Sequence, residues 1–132
     1  MRILGIDYGT KRIGLAVSDE NERLAFPKEI VKNNGELFGK IGAILAKERI
    51  SGIVVGESLD FAGLPNALMK EIEFFIARLE RKFKISVHRE KEFLTSVEAR
   101  RYGDPLQSDQ VDASAAALIL QRYLDKKNQL KQ

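Results

Sequence analysis

Apolar positions along this chain follow two different periods, and the change between them divides it into strands and helices. Residues 2–7 and 13–18 are short runs rich in Ile, Leu and Val, and the Gly-containing segment Tyr8-Gly9-Thr10-Lys11-Arg12 between them has the length of a hairpin turn. Residues 24–31 read as a third, shorter strand that Pro27 confines to an edge or an irregular stretch. An antiparallel meander is expected. After Asn33-Asn34-Gly35 the period lengthens, because Leu37, Ile41, Ile44 and Leu45 fall at i, i+4, i+7 and i+8 and mark an amphipathic helix. Ile53-Val54-Val55 is a continuous apolar run of the kind found in strands covered on both faces. Leu68, Ile72, Phe75, Ile76, Leu79 and Phe83 trace a second, longer helix, and residues 85–90 return to strand. Thr95-Ser96-Val97-Glu98 has the form of a capping box and predicts a short helix that Gly103-Asp104-Pro105 ends. Ala115, Ala116, Ile119, Leu120 and Tyr123 define a last helix, and its tail, residues 126–132, is expected to fray.

Strands in a meander followed by strands alternating with helices make a mixed α/β sheet with helices on its faces. The order β-β-β-α-β-α-β-α-α is that of a ribonuclease H-like fold, here with a mixed five-stranded sheet. The 132 residues suit one domain, expected over 1–125 with a C-terminal tail at 126–132. The absence of cysteine excludes a disulfide framework and a thiolate metal site, and this composition is typical of a reducing compartment, so a cytoplasmic protein is expected. Its longest small-apolar run, residues 113–120, is far short of the ~18 residues of a membrane span. Asp7 interrupts the N-terminal apolar stretch, so secretion is not expected either. The net charge of +3 permits an anionic partner without defining one, and the basic group Arg78, Arg81, Lys82 and Lys84 reads as a solvated helix face.

Four acids occupy conspicuous places. Asp7 ends the first strand and Glu57 the fourth, each after an apolar run where an unpaired charge is expensive. Glu92 follows the fifth strand, and Asp112 precedes Ala115 and Ala116 by three and four residues, on the stripe that should face the sheet. Adjacent strand ends converge at one edge of such a sheet, so all four acids are expected in one pocket. Clustered carboxylates repel unless a cation neutralises them, and hard oxygen ligands select Mg²⁺ or Mn²⁺. Two such ions activate a water and stabilise the leaving oxygen in phosphodiester hydrolysis. Plainer readings stand beside this one: Asp7 as a turn residue, Asp112 as a helix-start acid, Glu57 as a loop cap and Glu92 as a surface charge. Glu98 is assigned to capping, and His88, the only histidine, to an exposed strand position.

The segment 5–19, Gly-Ile-Asp-Tyr-Gly-Thr-Lys-Arg-Ile-Gly-Leu-Ala-Val-Ser-Asp, resembles the opening motif of the YqgF (RuvX) family of bacterial pre-16S rRNA nucleases, also described as Holliday-junction-resolvase-like. The resemblance recurs at residues 53–56, 92–99 and 111–125 and so covers essentially the whole chain. It implies a ribonuclease H-like, metal-dependent nuclease that matures the 5′ end of 16S rRNA in the cytoplasm, with Asp7, Glu92 and Asp112 at the family's acidic positions. Three departures stand out. Glu57-Ser58 replaces the family's Leu-Pro, Lys91-Glu92-Phe93 replaces its Asp-Glu-Arg, and residues 103–110 are nearly uncharged where the family is basic. The lost acid makes Glu57 a replacement ligand from an adjacent strand, which gives an expected metal site of Asp7, Glu57, Glu92 and Asp112. Lys11 and Arg12 in the hairpin turn are placed to contact phosphate.

Three other readings compete. The same residues suit a Holliday junction resolvase acting on branched DNA, which needs a symmetric dimer to cut two strands, so monomer and homodimer both stay open. The altered motif suits a module that binds nucleic acid without cutting it. Asp7-Tyr8-Gly9-Thr10 also resembles the phosphate-binding hairpin of actin-like ATPases, but those bind nucleotide between two such domains and this chain has the length of one.

Overall fold

The alternation of the first strands produces the expected meander in the structure, a computed structural model that describes residues 1–59, 68–93 and 108–130. Strand β1 (Arg2–Asp7) pairs antiparallel with β2 (Arg12–Ser18), and β2 in turn with β3 (Ala25–Lys32). Helix α1 (Leu37–Lys47) leads to β4 (Ile50–Leu59), and α2 (Leu68–Phe83) leads to β5 (Ser86–Phe93). The last described element is helix α3 (Ser108–Leu130). Both β1·β4 and β4·β5 are parallel, and the sheet order is β3-β2-β1-β4-β5. Pro27 sits on edge strand β3, where its missing N–H costs no central ladder bond.

Each strand alternates between two cores. Leu4, Ile6, Ile53 and Val55 face α1 and α2, where they pack with Ile41, Ile72, Phe75 and Ile76. Ile3, Ala16 and Val54 face the opposite way and pack with Ala116, Ile119, Leu120 and Leu124 of α3. Thus Ile53-Val54-Val55 is covered on both sides, as its unbroken apolar run predicts.

Strands β4 and β5 run beyond the apolar residues that reveal them, because parallel pairing continues from Gly52–Ser86 to Leu59–Phe93. Part of the stretch expected to fray, residues 126–130, is helical among the described residues. Helix α3 continues to Leu130, with Lys127 Nζ 2.7 Å from Glu22 Oε1 and Asn128 Nδ2 donating to the Glu22 carbonyl at 3.1 Å. The Thr95–Glu98 capping box and the Gly103-Asp104-Pro105 helix stop lie outside the described residues.

At the opposite end of the sheet from Asp7, Glu48 accepts from Arg2 Nη1 at 2.7 Å and from Lys28 Nζ at 3.1 Å. The hydrogen bond from Lys28, followed by the charges of Lys28 and Arg2, holds the Glu48 carboxyl below its ordinary value. A carboxyl lowered in the folded state contributes stability above the unfolded pKa and loses it as pH falls through the folded one. The expected result is that Glu48→Gln lowers the melting temperature at pH 7 and converges on the parent as pH drops below the ordinary carboxylate range, read by thermal denaturation across pH.

Candidate functional site

Asp7 closes β1 as a half-buried residue after four buried ones, directly opposite Gly14 of β2. Because Ile3 faces α3 while Leu4 and Ile6 face α1 and α2, strand alternation assigns Asp7 to the α3 face. Gly5, two residues earlier on that face, is what lets α3 come close: a Cβ there would lie 2.7 Å from Leu120 Cβ and 3.1 Å from the Ala116 carbonyl oxygen.

The direction of α3 follows from its ties. Gln121 accepts from the Ala25 amide at 2.9 Å and donates to the Arg23 carbonyl at 2.8 Å, so its later turns sit over the start of β3. That end of β3 lies beside Ser18, whose hydroxyl receives the Ile3 amide at 2.8 Å. With Ala116 and Leu120 over Gly5, the earlier turns extend toward the Asp7 end of the sheet. The backbone of Asp112 lies there, one helical turn before Ala116.

Glu92 stands opposite Ser58 in the β4·β5 register, two residues after Glu90 on the same alternation. The side chains of Glu92 and Asp112 lie outside the described residues, and among those described no group of three or more His, Asp or Glu is arranged to hold a metal ion.

Glu57 departs from expectation. Ile6 pairs with Val55, so Gly56 is the residue that follows beside Asp7, and Glu57 falls on the α1/α2 face with Ile53 and Val55. Its charge there bears on Arg89, whose guanidinium is held above its ordinary value chiefly by a hydrogen bond to Glu73, with Glu57 and Glu80 adding attraction. Strand alternation therefore puts Glu57 on the α1/α2 face, while the backbone positions of Asp7, Glu92 and Asp112 lie toward the α3 side. The cause is a register offset of one residue, which reverses the face of every side chain.

The hairpin turn is rigidly held. A Cβ on Gly9 would meet the Arg12 carbonyl oxygen at 2.4 Å, Asn33 Nδ2 donates to the Gly9 carbonyl at 2.9 Å, and the Asn33 amide donates to the Lys11 carbonyl at 2.9 Å. Lys11 and Arg12 are exposed on this turn, and Arg12 pairs in register with the equally exposed Lys32. Lys32 thus joins Lys11 and Arg12 as an exposed cationic residue beside this turn, a neighbour that only the β2·β3 register reveals. Glu90, which no sequence pattern marks, is 4% exposed and has its Oε2 2.6 Å from Lys126 Nζ. His88 is exposed on β5, as expected, with its ring 5.1 Å from that of Tyr123.

Sheet order, strand directions and a last helix laid across the first strand define a ribonuclease H-like domain whose acidic positions share one end of the sheet. Comparison with known proteins agrees. The chain superposes on Thermus thermophilus RuvC, solved in complex with a Holliday junction substrate, with a TM-score of 0.58 at 18% identity over 96% of each chain. A protein of Maridesulfovibrio salexigens named "Putative pre-16S rRNA nuclease" is 32% identical over 94% of this chain and 98% of its own length. One of Anaplasma marginale with the same name is 36% identical over 94% of this chain and 84% of its own. The RuvX family profile, described as Holliday junction resolvase, matches residues 1–126. The chain belongs to the RuvX family.

Proposed function

We propose that this protein is a divalent-metal-dependent nuclease that hydrolyses phosphodiester bonds of pre-16S rRNA near its 5′ end, in the cytoplasm. One observation carries the chemical part of this reading: the half-buried Asp7 ends β1 on the α3 face, toward which the start of α3 is directed, beside a rigid turn bearing Lys11 and Arg12. The substrate part is supported by the names of relatives that align over nearly the whole chain.

The donor set fits a hard cation. Asp7, Glu92 and Asp112 supply only carboxylate oxygens, the ligand type that suits Mg²⁺ or Mn²⁺. When bound, such an ion activates water and stabilises the leaving oxygen. The chain's own residues do the rest. Asp7 is fixed in direction by the β1 ladder. Lys11 and Arg12 attract the phosphate backbone and set its register without reading sequence, and Lys32 extends that patch.

The test is cleavage of a transcript spanning the 5′ end of pre-16S rRNA, with a four-way DNA junction as the comparison substrate. Cleavage of the transcript in millimolar Mg²⁺ or Mn²⁺, abolished by EDTA, is the expected result. Cleavage of the junction alone would move the activity to branched DNA, and cleavage unaffected by EDTA would remove the metal.

A further inference from the structure

We propose that the cleft between the 33–34 turn, α1 and α2 binds an unpaired nucleobase of the strand whose backbone lies at Asp7, with Phe74 as its stacking platform. The cleft measures about 230 Å³ and is lined by Tyr8, Asn34, Phe38, Glu71, Phe74 and Arg78, among others. Phe74 is 75% exposed on α2, although its neighbour Phe75 is buried in the core. Single exposed apolar residues are common, but a ring standing beside a cleft with donors and acceptors on its walls offers a face on which a planar group can stack.

Three features select a base as the occupant. The first is continuity, since Tyr8 follows Asp7 in the chain and its ring is anchored 5.0 Å from that of Phe75 on the α1/α2 face. A strand held at the end of β1 by Lys11 and Arg12 thus lies next to a residue that lines the cleft, which opens on the other face of the sheet from Asp7. Asn33, which also lines the cleft, is bonded to the Gly9 carbonyl and ties the cleft wall to the phosphate-binding turn.

The second is the chemistry of the walls. Asn34 uses its Oδ1 to accept from the Glu36 amide at 3.0 Å, which leaves its Nδ2 donors without a partner among the described residues. Glu71 supplies acceptors, and the Arg78 guanidinium is stacked 4.3 Å above the Phe38 ring. A ring face beside donors and acceptors matches a base with its face and edge both free, which a base paired in a duplex does not offer.

The third is size. The exposed apolar surface is one ring bounded by Asn34, Glu71 and Arg78, far less than a stable protein interface buries.

The proposal rests on the nuclease reading for the path of the strand, but its test needs no cleavage. Binding of a fluorescein-labelled single-stranded 12-mer RNA and of a hairpin duplex is measured by anisotropy in EDTA, for the parent, Phe74→Ala and Phe74→Trp. Base stacking on an aromatic ring predicts that Phe74→Ala weakens single-strand binding by about 5- to 150-fold, that Phe74→Trp restores it, and that duplex binding is unchanged. A 2-aminopurine in the strand should be quenched by the parent and not by Phe74→Ala. Unchanged single-strand binding in Phe74→Ala, or an equal loss for the duplex, overturns the proposal. So does a change of assembly state by light scattering with RNA binding intact, which would assign Phe74 to a protein partner. If the predicted losses hold while the parent cleaves nothing, the nuclease reading fails and the base site stands.

Discussion

Gly5→Val is expected to lower the melting temperature by roughly 10 °C or more. The position looks permissive in the sequence, since valine is a better strand former than glycine. The structure reverses that expectation. Even one added carbon would sit 2.7 Å from Leu120 Cβ and 3.1 Å from the Ala116 carbonyl, and the latter is helix backbone that no rotamer change can withdraw. Helix α3 must move off the sheet, loosening Ile119, Leu120 and Leu124, which are all fully buried. Overpacking of this sort costs about 1–3 kcal/mol for small insertions, and the rigid neighbour puts valine at or above the upper end. Gly39→Ala is the control of opposite sign. It lies inside α1 with nothing within 4 Å of the added Cβ, so it should gain about 0.5–1 kcal/mol from helix propensity. A melting experiment in which both variants move in the same direction would refute the close approach of α3 to β1.

The same contact explains why the fold was more legible than the site. Elements with one wet face, such as α1 and α2, write their period into the sequence. Strand β4 does not. Covered on both faces, Ile53, Val54 and Val55 are all apolar, so nothing in the run says which parity faces α3. Only the pairing of Ile6 with Val55 shows that Gly56 follows beside Asp7 while Glu57 turns away. Strand β5 hides its faces for the opposite reason: from His88 to Glu92 every residue is polar, so the burial of Glu90 has no hydrophobic marker and depends on Lys126, 36 residues later. The C-terminal turns of α3 carry no local sign of their anchorage, because Lys127 finds its partner, Glu22, 105 residues away. Asp7, by contrast, stands out in the sequence because an acid directly after a wholly apolar run needs a reason to be there.

Asp7→Asn is expected to reduce metal-dependent cleavage at least about 100-fold, since even groups behind a metal ligand typically cost 10–100-fold when changed. The substitution keeps size and hydrogen-bonding shape at a half-buried strand end, so the melting temperature should stay close to the parent's and the loss should be chemical. Glu92→Gln and Asp112→Asn are expected to behave alike, because their positions share the α3 side and the Asp7 end of the sheet. Glu57→Gln is the discriminating variant. Both it and Asp7 end apolar runs on adjacent parallel strands, and from sequence the two look equivalent. Alternation puts Glu57 with Arg89, Glu73 and Glu80 instead, so its loss should leave the cleavage rate within a few-fold and weaken the grip on Arg89. Single-turnover rates with saturating Mn²⁺, measured alongside the melting temperature, separate the two acids. If Glu57→Gln proves as damaging as Asp7→Asn without unfolding the protein, then both faces of the strand end feed one metal, and the assignment by parity is wrong.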